Sequence, residues 1–390
     1  MNKKIVFVFV ILLILILAAC GGSESTKGSG NSYSLKEEIK FETEPSNSIH
    51  IDKAGQVVLF GEDVEGKQNT YTMKVYVDGD VQTLEGEGFN MHSNLTHSGK
   101  VTSYQSDIEA GTDGGNLYTY KFYDPISDES KDYVIDKDEY LTFTYKSFMV
   151  EDSNGEVVEG IKTNHVKDGK DAVEVLSIDL ESDTMETIDL TTELEGYYGD
   201  SFYDTNVHYS FDGQKLFILA RVNTNEDYDG PASENTVFIY DRETKEVEKV
   251  LEQDDSIYFL DQDYISSADG KYLYFVKHIQ VEDDSVLGVR NRSELYALDI
   301  ETKEVKELGQ GDSPSAIDEN RIFYIDNKKG EFYIQDVDNG ESNLIYTDED
   351  FDAETMRIVT ASISYDGSTF AYILEYKGDG EEVIRIVKSK

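Results

Sequence analysis

The chain has 390 residues, with 80 Asp and Glu against 35 Lys and Arg, for a formal net charge of −45 at pH 7. That charge disfavours nucleic acid, anionic lipid surfaces and wall polyanions as direct electrostatic partners, since all share its sign, and leaves cationic partners and metal ions open. It has one cysteine and no tryptophan, so no internal disulfide forms and Tyr and Phe supply most of the large apolar surface.

Met1, Asn2, Lys3 and Lys4 make a short basic start, and Ile5 to Leu17 then run without a polar residue. This is the pattern of a secretion signal. As a helix the run rises about 20 Å, short of the roughly 30 Å hydrocarbon core of a bilayer. Leu17, Ala18, Ala19 and Cys20 resemble the bacterial lipobox, where small residues before the cysteine let a dedicated peptidase cut and leave a diacylglycerol thioether on it. The resemblance implies that residues 1–19 are removed as a lipoprotein signal peptide. It also implies that Cys20 carries the lipid and that the protein sits on the extracytoplasmic face of the cell membrane. Two or three palmitate-type chains, at about 0.8 kcal/mol per buried methylene, anchor a protein firmly where one chain binds marginally. Acylation also removes a free thiol, normally a liability in an exported protein. Gly21 to Ser32 contains no apolar side chain, so residues 20–32 read as the lipidated cysteine and a flexible tether. Residues 33–390 then read as one large repeat-built domain.

That domain reads as all-β. Aromatic and β-branched residues recur in short runs between turn signals, and helical periodicity is hard to find. One cassette appears as Ser210-Phe211-Asp212-Gly213, Ser267-Ala268-Asp269-Gly270 and Ser364-Tyr365-Asp366-Gly367, each followed by a strand apolar on both faces. Aspartate bonds nearby amides and glycine takes a positive φ, so each is a hairpin turn. A strand with two apolar faces suits a position between two neighbouring sheets. A second cassette, Thr236 to Val247 and Glu294 to Val305, reads as third strand, turn and fourth strand. Looser copies end at Asp78, Asp124, Asp179 and Asp336, at intervals of about 40 to 60 residues, a spacing characteristic of solenoids and propellers. The last unit lacks a fourth strand, and the segment around Glu38-Ile39-Lys40-Phe41-Glu42 is placed to supply it. Such closure removes exposed sheet edges. The expectation is a β-propeller of seven four-stranded blades, closed by an N-terminal strand, with six or eight as alternatives.

The Ser-x-Asp-Gly turn, its aromatic strand and the following strand ending in aspartate resemble the repeats of TolB-type and peptidase-type β-propellers. Those repeats usually carry proline where this chain has Phe211, Ala268 and Tyr365. The resemblance implies a propeller and leaves the partner open.

Linear motifs point to no catalytic set. The chain has no Gly-x-Ser-x-Gly elbow, no His-Glu-x-x-His zinc spacing and none of the tryptophan of sialidase or quinone-dependent blades. Gly199-Asp200-Ser201 and Gly311-Asp312-Ser313 read as turns. Asn225, Asp227 and Asp229 hold alternate positions of a half calcium loop with Gly230 at its sixth place, but Thr236 stands where a bidentate glutamate belongs. Calcium is the one cofactor this pattern suggests. Asp348-Glu349-Asp350-Phe351-Asp352 reads as a solvated charge run. Tyr197, Tyr198, Phe202 and Tyr203 form an aromatic cluster before a blade, suited to stacking on a sugar or gripping a peptide. The leading expectation is a binding or scaffolding module for an envelope protein or glycan. The alternative is a glycosidase-like envelope hydrolase whose carboxylates converge at the propeller funnel.

Overall fold

The structure, a computed structural model, describes residues 32–41, 43, 45–64, 71–84, 89, 93–96, 98–107, 116–137, 147–152, 155–167, 170–179, 182, 184–190, 202–209, 214–223, 233–252, 264–267, 269–282, 289–378 and 380–390. Among these residues every regular element is a strand. The first, β1 (Tyr33–Lys40), belongs to the last sheet. The first sheet holds β2 (Pro45–Ile51), β3 (Val57–Asp63), β4 (Tyr71–Val77) and β5 (Asp80–Thr83), and the second β6 (Asn94–Leu95), β7 (Val101–Asp107), β8 (Asn116–Asp124) and β9 (Glu129–Lys137). The third has β10 (Ser147–Asp152), β11 (Gly155–Lys167), β12 (Lys170–Asp179) and β13 (Thr184–Asp189), and the fourth β14 (Phe202–Tyr209), β15 (Lys215–Asn223), β16 (Ser233–Asp241) and β17 (Val247–Glu252). The fifth comprises β18 (Tyr264–Ser266), β19 (Tyr272–Glu282), β20 (Val289–Asp299) and β21 (Val305–Gln310), and the sixth β22 (Asp312–Ala316), β23 (Arg321–Asp326), β24 (Glu331–Asp336) and β25 (Ser342–Thr347). The last orders as β1, β28 (Glu382–Ser389), β27 (Thr369–Tyr376) and β26 (Met356–Ile363). These described strands thus make seven four-stranded antiparallel sheets, the architecture of a β-propeller.

Local hydrogen bonding explains why the cassettes turn where they do. Ser267 Oγ accepts the Tyr272 amide at 2.9 Å and donates to Asp269 Oδ1 at 2.8 Å, while Gly270, at φ 65°, returns its N–H to the Ser267 carbonyl. Ser364, Asp366 and Gly367 repeat the arrangement before β27. Between third and fourth strands, Asp299 Oδ1 accepts the amides of Thr302 and Glu301 at 2.8 and 3.0 Å, and Asp241 Oδ1 does the same for Thr244 and Glu243. The Thr302 amide chiefly holds the Asp299 carboxyl below the usual carboxylate range. The first sheet uses a variant the sequence pattern hides: buried Asp52 accepts the amides of Gln56 and Val57 at 2.7 Å through one carboxylate oxygen.

The core lies between sheets. Along β27, Phe370, Tyr372 and Leu374 pack toward the sixth sheet with Phe323 and Phe332, while Ala371 and Ile373 pack toward the first with Val58 and Phe60. Likewise Tyr272, Tyr274 and Val276 of β19 face the sixth sheet, and Leu273 and Phe275 face the fourth. The two-residue period of a strand sends alternate side chains to opposite neighbours, which is why these strands are apolar on both faces. The last sheet also meets the first through Asp366 N–H to the Lys53 carbonyl (3.1 Å) and Thr369 Oγ1 to the Gly55 carbonyl (2.9 Å), so the ring closes.

Closure depends on β1, which pairs with β28 from Tyr33↔Ser389 to Lys40↔Val383. The closing strand therefore begins and ends earlier than the segment around Glu38 to Glu42 suggests, because Ser389 and Lys390 extend the available partner. Glu38, Arg385 and Tyr372 stand side by side across β1, β28 and β27. The Arg385 side chain, 5% exposed, bonds Glu38 Oε2 through Nε (2.7 Å) and both carboxylate oxygens of Asp348 through Nη1 (2.6 and 2.7 Å). The Tyr372 hydroxyl donates to Asp348 Oδ2 at 2.8 Å, and burial beside that carboxylate pushes its pKa up. Asp348 follows β25, so this network ties the sixth sheet to three strands of the last. Asp348 is thus buried and paired, which corrects the reading of Asp348 to Asp352 as a wholly solvated run, whereas Glu349 and Asp350 are exposed.

Asp348→Ala leaves the buried Nη1 of Arg385 and the Tyr372 hydroxyl without their acceptor, with Glu38 the one carboxylate still paired to the guanidinium, and we expect a loss of about 3 kcal/mol in urea unfolding. Arg357→Ala, which breaks an exposed pair with Glu375, is expected to cost no more than about 1 kcal/mol in the same assay.

Candidate functional site

The up-and-down order of the sheets gives the ring two unlike faces. One carries the tight turns between first and second and between third and fourth strands. From the other leave the second-to-third connections and the crossings between sheets.

On that second face the turn Asn327 to Gly330, between β23 and β24, separates two clefts. A smaller one of about 130 Å³ is bounded by Ser293, Gln310, Gly311 and Asp312 on the fifth-sheet side. A larger one of about 360 Å³ opens toward the last sheet over Met356, Ile358 and Val359 at the start of β26. Lys328, Arg357 and Lys377 stand around the larger cleft, with Asn327 beside them.

The turn is fixed from both ends. Asp326 accepts the Lys328 amide through Oδ1 (3.1 Å) and the Lys329 and Gly330 amides through its carbonyl (3.1 and 3.0 Å). Asp348 N–H bonds the Gly330 carbonyl at 2.9 Å, so the residue that pairs with Arg385 also pins this turn. Gly330 has φ 64°, and Phe351 lies against it where a side chain would otherwise stand.

The cations differ in their commitments. Lys329 Nζ pairs with Asp326 at 2.7 Å, and that hydrogen bond raises its pKa. Lys377 Nζ donates to the Ala353 carbonyl at 2.7 Å, which leaves its charge without a carboxylate among the described residues, and Arg357 pairs with Glu375. Lys328 is exposed and makes no ion pair among the described residues. Two ammonium groups without a carboxylate partner among the described residues and an amide thus stand around a cleft lined in part by Met356, Ile358 and Val359, a combination that accommodates an anionic group carried on a partly apolar or sugar-ring stem.

Several residues singled out from the sequence lie outside the described residues: Leu17, Ala18, Ala19, Cys20, Tyr197, Tyr198, Asn225, Asp227 and Asp229. Phe202 and Tyr203 are described only in their backbone. They belong to β14, paired with Val222 and Arg221, and so are strand residues rather than part of the loop before a blade. Asp312 and Ser313 are likewise in β22 rather than in a turn. Among the described residues no group of three or more His, Cys, Asp or Glu is placed to hold a metal ion, and no helix is long and apolar enough to cross a membrane. Sequence patterns missed the Lys328, Arg357 and Lys377 cluster because its members come from two sheets and share no spacing.

No protein-family model matches the sequence, and no curated protein matches it. Among solved structures the fold is similar to an oligogalacturonate lyase from Vibrio parahaemolyticus, with TM-score 0.50 and 12% identity, over 90% of this chain and 91% of that one. It is also similar to the β-propeller domain of the Trilobed protease from Pyrococcus furiosus, with TM-score 0.52 and 11% identity, over 89% and 95%. A third likeness, to the acylaminoacyl peptidase of Pyrococcus horikoshii (TM-score 0.50, 12% identity), spans 86% of this chain but only 49% of that enzyme. At these identities the likeness is one of fold: this is a propeller of the shape found in peptidase and lyase structures. The Pyrococcus furiosus domain is described as having an open velcro topology, whereas here β1 fills the outer position of the last sheet.

Gly330→Ala and Gly340→Ala separate backbone strain from packing. Both replace a glycine at positive φ, worth about 1–2 kcal/mol, but Gly340 has open space while a Cβ at Gly330 comes within 2.7 Å of Phe351. In urea unfolding, Gly330→Ala is expected to lose a further 1–3 kcal/mol or so for overpacking. Equal losses would show that Phe351 does not hold the turn.

Proposed function

We propose that this chain is an exported lipoprotein, anchored through acylated Cys20 on the extracytoplasmic face of the cell membrane, whose propeller is a binding module for an envelope protein or glycan. The cationic cleft beside Lys328 carries this reading, because in a chain of net charge −45 two exposed lysines without an ion pair among the described residues line one cleft there. The group it takes is anionic, a carboxylate or a phosphate, with the Met356 and Ile358 floor receiving the apolar part. A likeness to a lyase for oligogalacturonate, an acidic sugar, and to peptidase propellers supports testing both acidic oligosaccharides and acidic peptides. The anchor rests on the lipobox-like run Leu17 to Cys20 and the polar stretch after it.

Titration calorimetry of the purified protein against a panel of acidic oligosaccharides and acidic peptides tests the cleft. At least one member is expected to bind, with affinity falling about tenfold or more in Lys328→Glu, equivalent to about 1.4 kcal/mol. A panel without binders, or a binder indifferent to Lys328→Glu, would refute the assignment. For the anchor, Cys20→Ala is expected to abolish incorporation of a radiolabelled fatty acid and to shift the protein from the membrane fraction to the medium.

A further inference from the structure

The point at which the N-terminal segment joins the ring is fixed by hydrogen bonds. The Lys390 amide donates to the Ser32 carbonyl at 3.0 Å, the Ser389 amide donates to the Ser368 carbonyl at 2.8 Å, and the Tyr33 hydroxyl donates to the Gly367 carbonyl. Ser364 to Ser368 is the tight turn between β26 and β27. Whatever precedes Ser32 therefore leaves from the face of tight turns, at the outer strand of the last sheet. The Lys328 cleft lies on the opposite face.

Reach turns this into an orientation. Ser32 lies twelve positions after Cys20. A glycine- and serine-rich stretch of that length has a root-mean-square span of about 20 Å. The opposite face is one strand length away, about 26 Å along β1 alone, before any path around the rim is added. Only a leash drawn almost straight, about 40 Å, would let that face touch the lipid, at a large loss of chain entropy.

We infer that the anchored protein lies with its tight-turn face toward the membrane and presents the Lys328 cleft away from it. The cleft's ligand is then an anionic group on a soluble or wall-borne molecule rather than a lipid headgroup. This rests on the lipidated Cys20 of the proposed function. The decisive experiment reconstitutes the acylated full chain into phosphatidylethanolamine–phosphatidylglycerol vesicles that carry a headgroup-attached quencher. With Cys20 blocked by its lipid, a fluorophore is placed through Glu301→Cys on the tight-turn face or through Lys328→Cys at the cleft; both positions are exposed. Quenching at position 301 is expected to exceed that at 328 several-fold. Equal or reversed quenching on protein that floats with the vesicles overturns the orientation alone. Failure to float, with or without quenching, overturns the anchor and this inference together.

Discussion

The last sheet is locked to its closing strand and to the sixth sheet where Arg385 lies between Glu38 and Tyr372 and reaches Asp348. A buried guanidinium is tolerable only when its donors find acceptors of opposite charge. Here the acceptors come from the first strand of the domain and from the segment after β25. The requirement is met only when β1 has zipped onto β28 and the sixth sheet has docked. Sheet closure and charge compensation are one event. Asp348 then extends the effect, because its amide holds the Gly330 carbonyl and Phe351 rests on that glycine, so the turn bearing Lys328 inherits its position from the closure.

Acidity has a structural use as well as an electrostatic one. Asp241, Asp299 and Asp366 each accept backbone amides in tight turns, and Asp52 does so while almost fully buried. Hydrogen bonds to the ionised form outweigh the burial that opposes it at Asp366, whose pKa is lowered. Such turns repeat around one face of the ring and consume carboxylates there. The turn bearing Lys328 stands on the face opposite these tight turns.

Local and distant information separate cleanly along the last strand. Val383, Ile384, Ile386 and Val387 announce a buried strand, and Arg385 among them is a visible anomaly. Its explanation is not visible. Glu38 is hundreds of residues away in the chain, and Asp348 sits in a run of acids that resembles solvated surface. The cleft was illegible for the same reason: Lys328 sits in a two-lysine turn of the sixth sheet, while Arg357 and Lys377 belong to the last. Asp52 shows the converse limit, since Asp52-Lys53-Ala54-Gly55 performs the work of the Ser-x-Asp-Gly turn with a different residue as acceptor, and pattern matching passed over it.

What the sequence by itself determined was every feature set by neighbours within about six positions: the tight turns, the strands apolar on both faces, and hence an all-β repeat architecture needing an N-terminal strand for its last sheet. Those follow from hydrogen bonds and a two-residue period that any isolated stretch of the chain already encodes. The tertiary structure decided which sheets flank each strand, which one of several aspartates is buried against Arg385, which lysines meet over an apolar floor, and from which face the N-terminal segment departs. Alternation tells a strand that it has two neighbours but not their identity, and charge compensation across the ring exists only once the ring does.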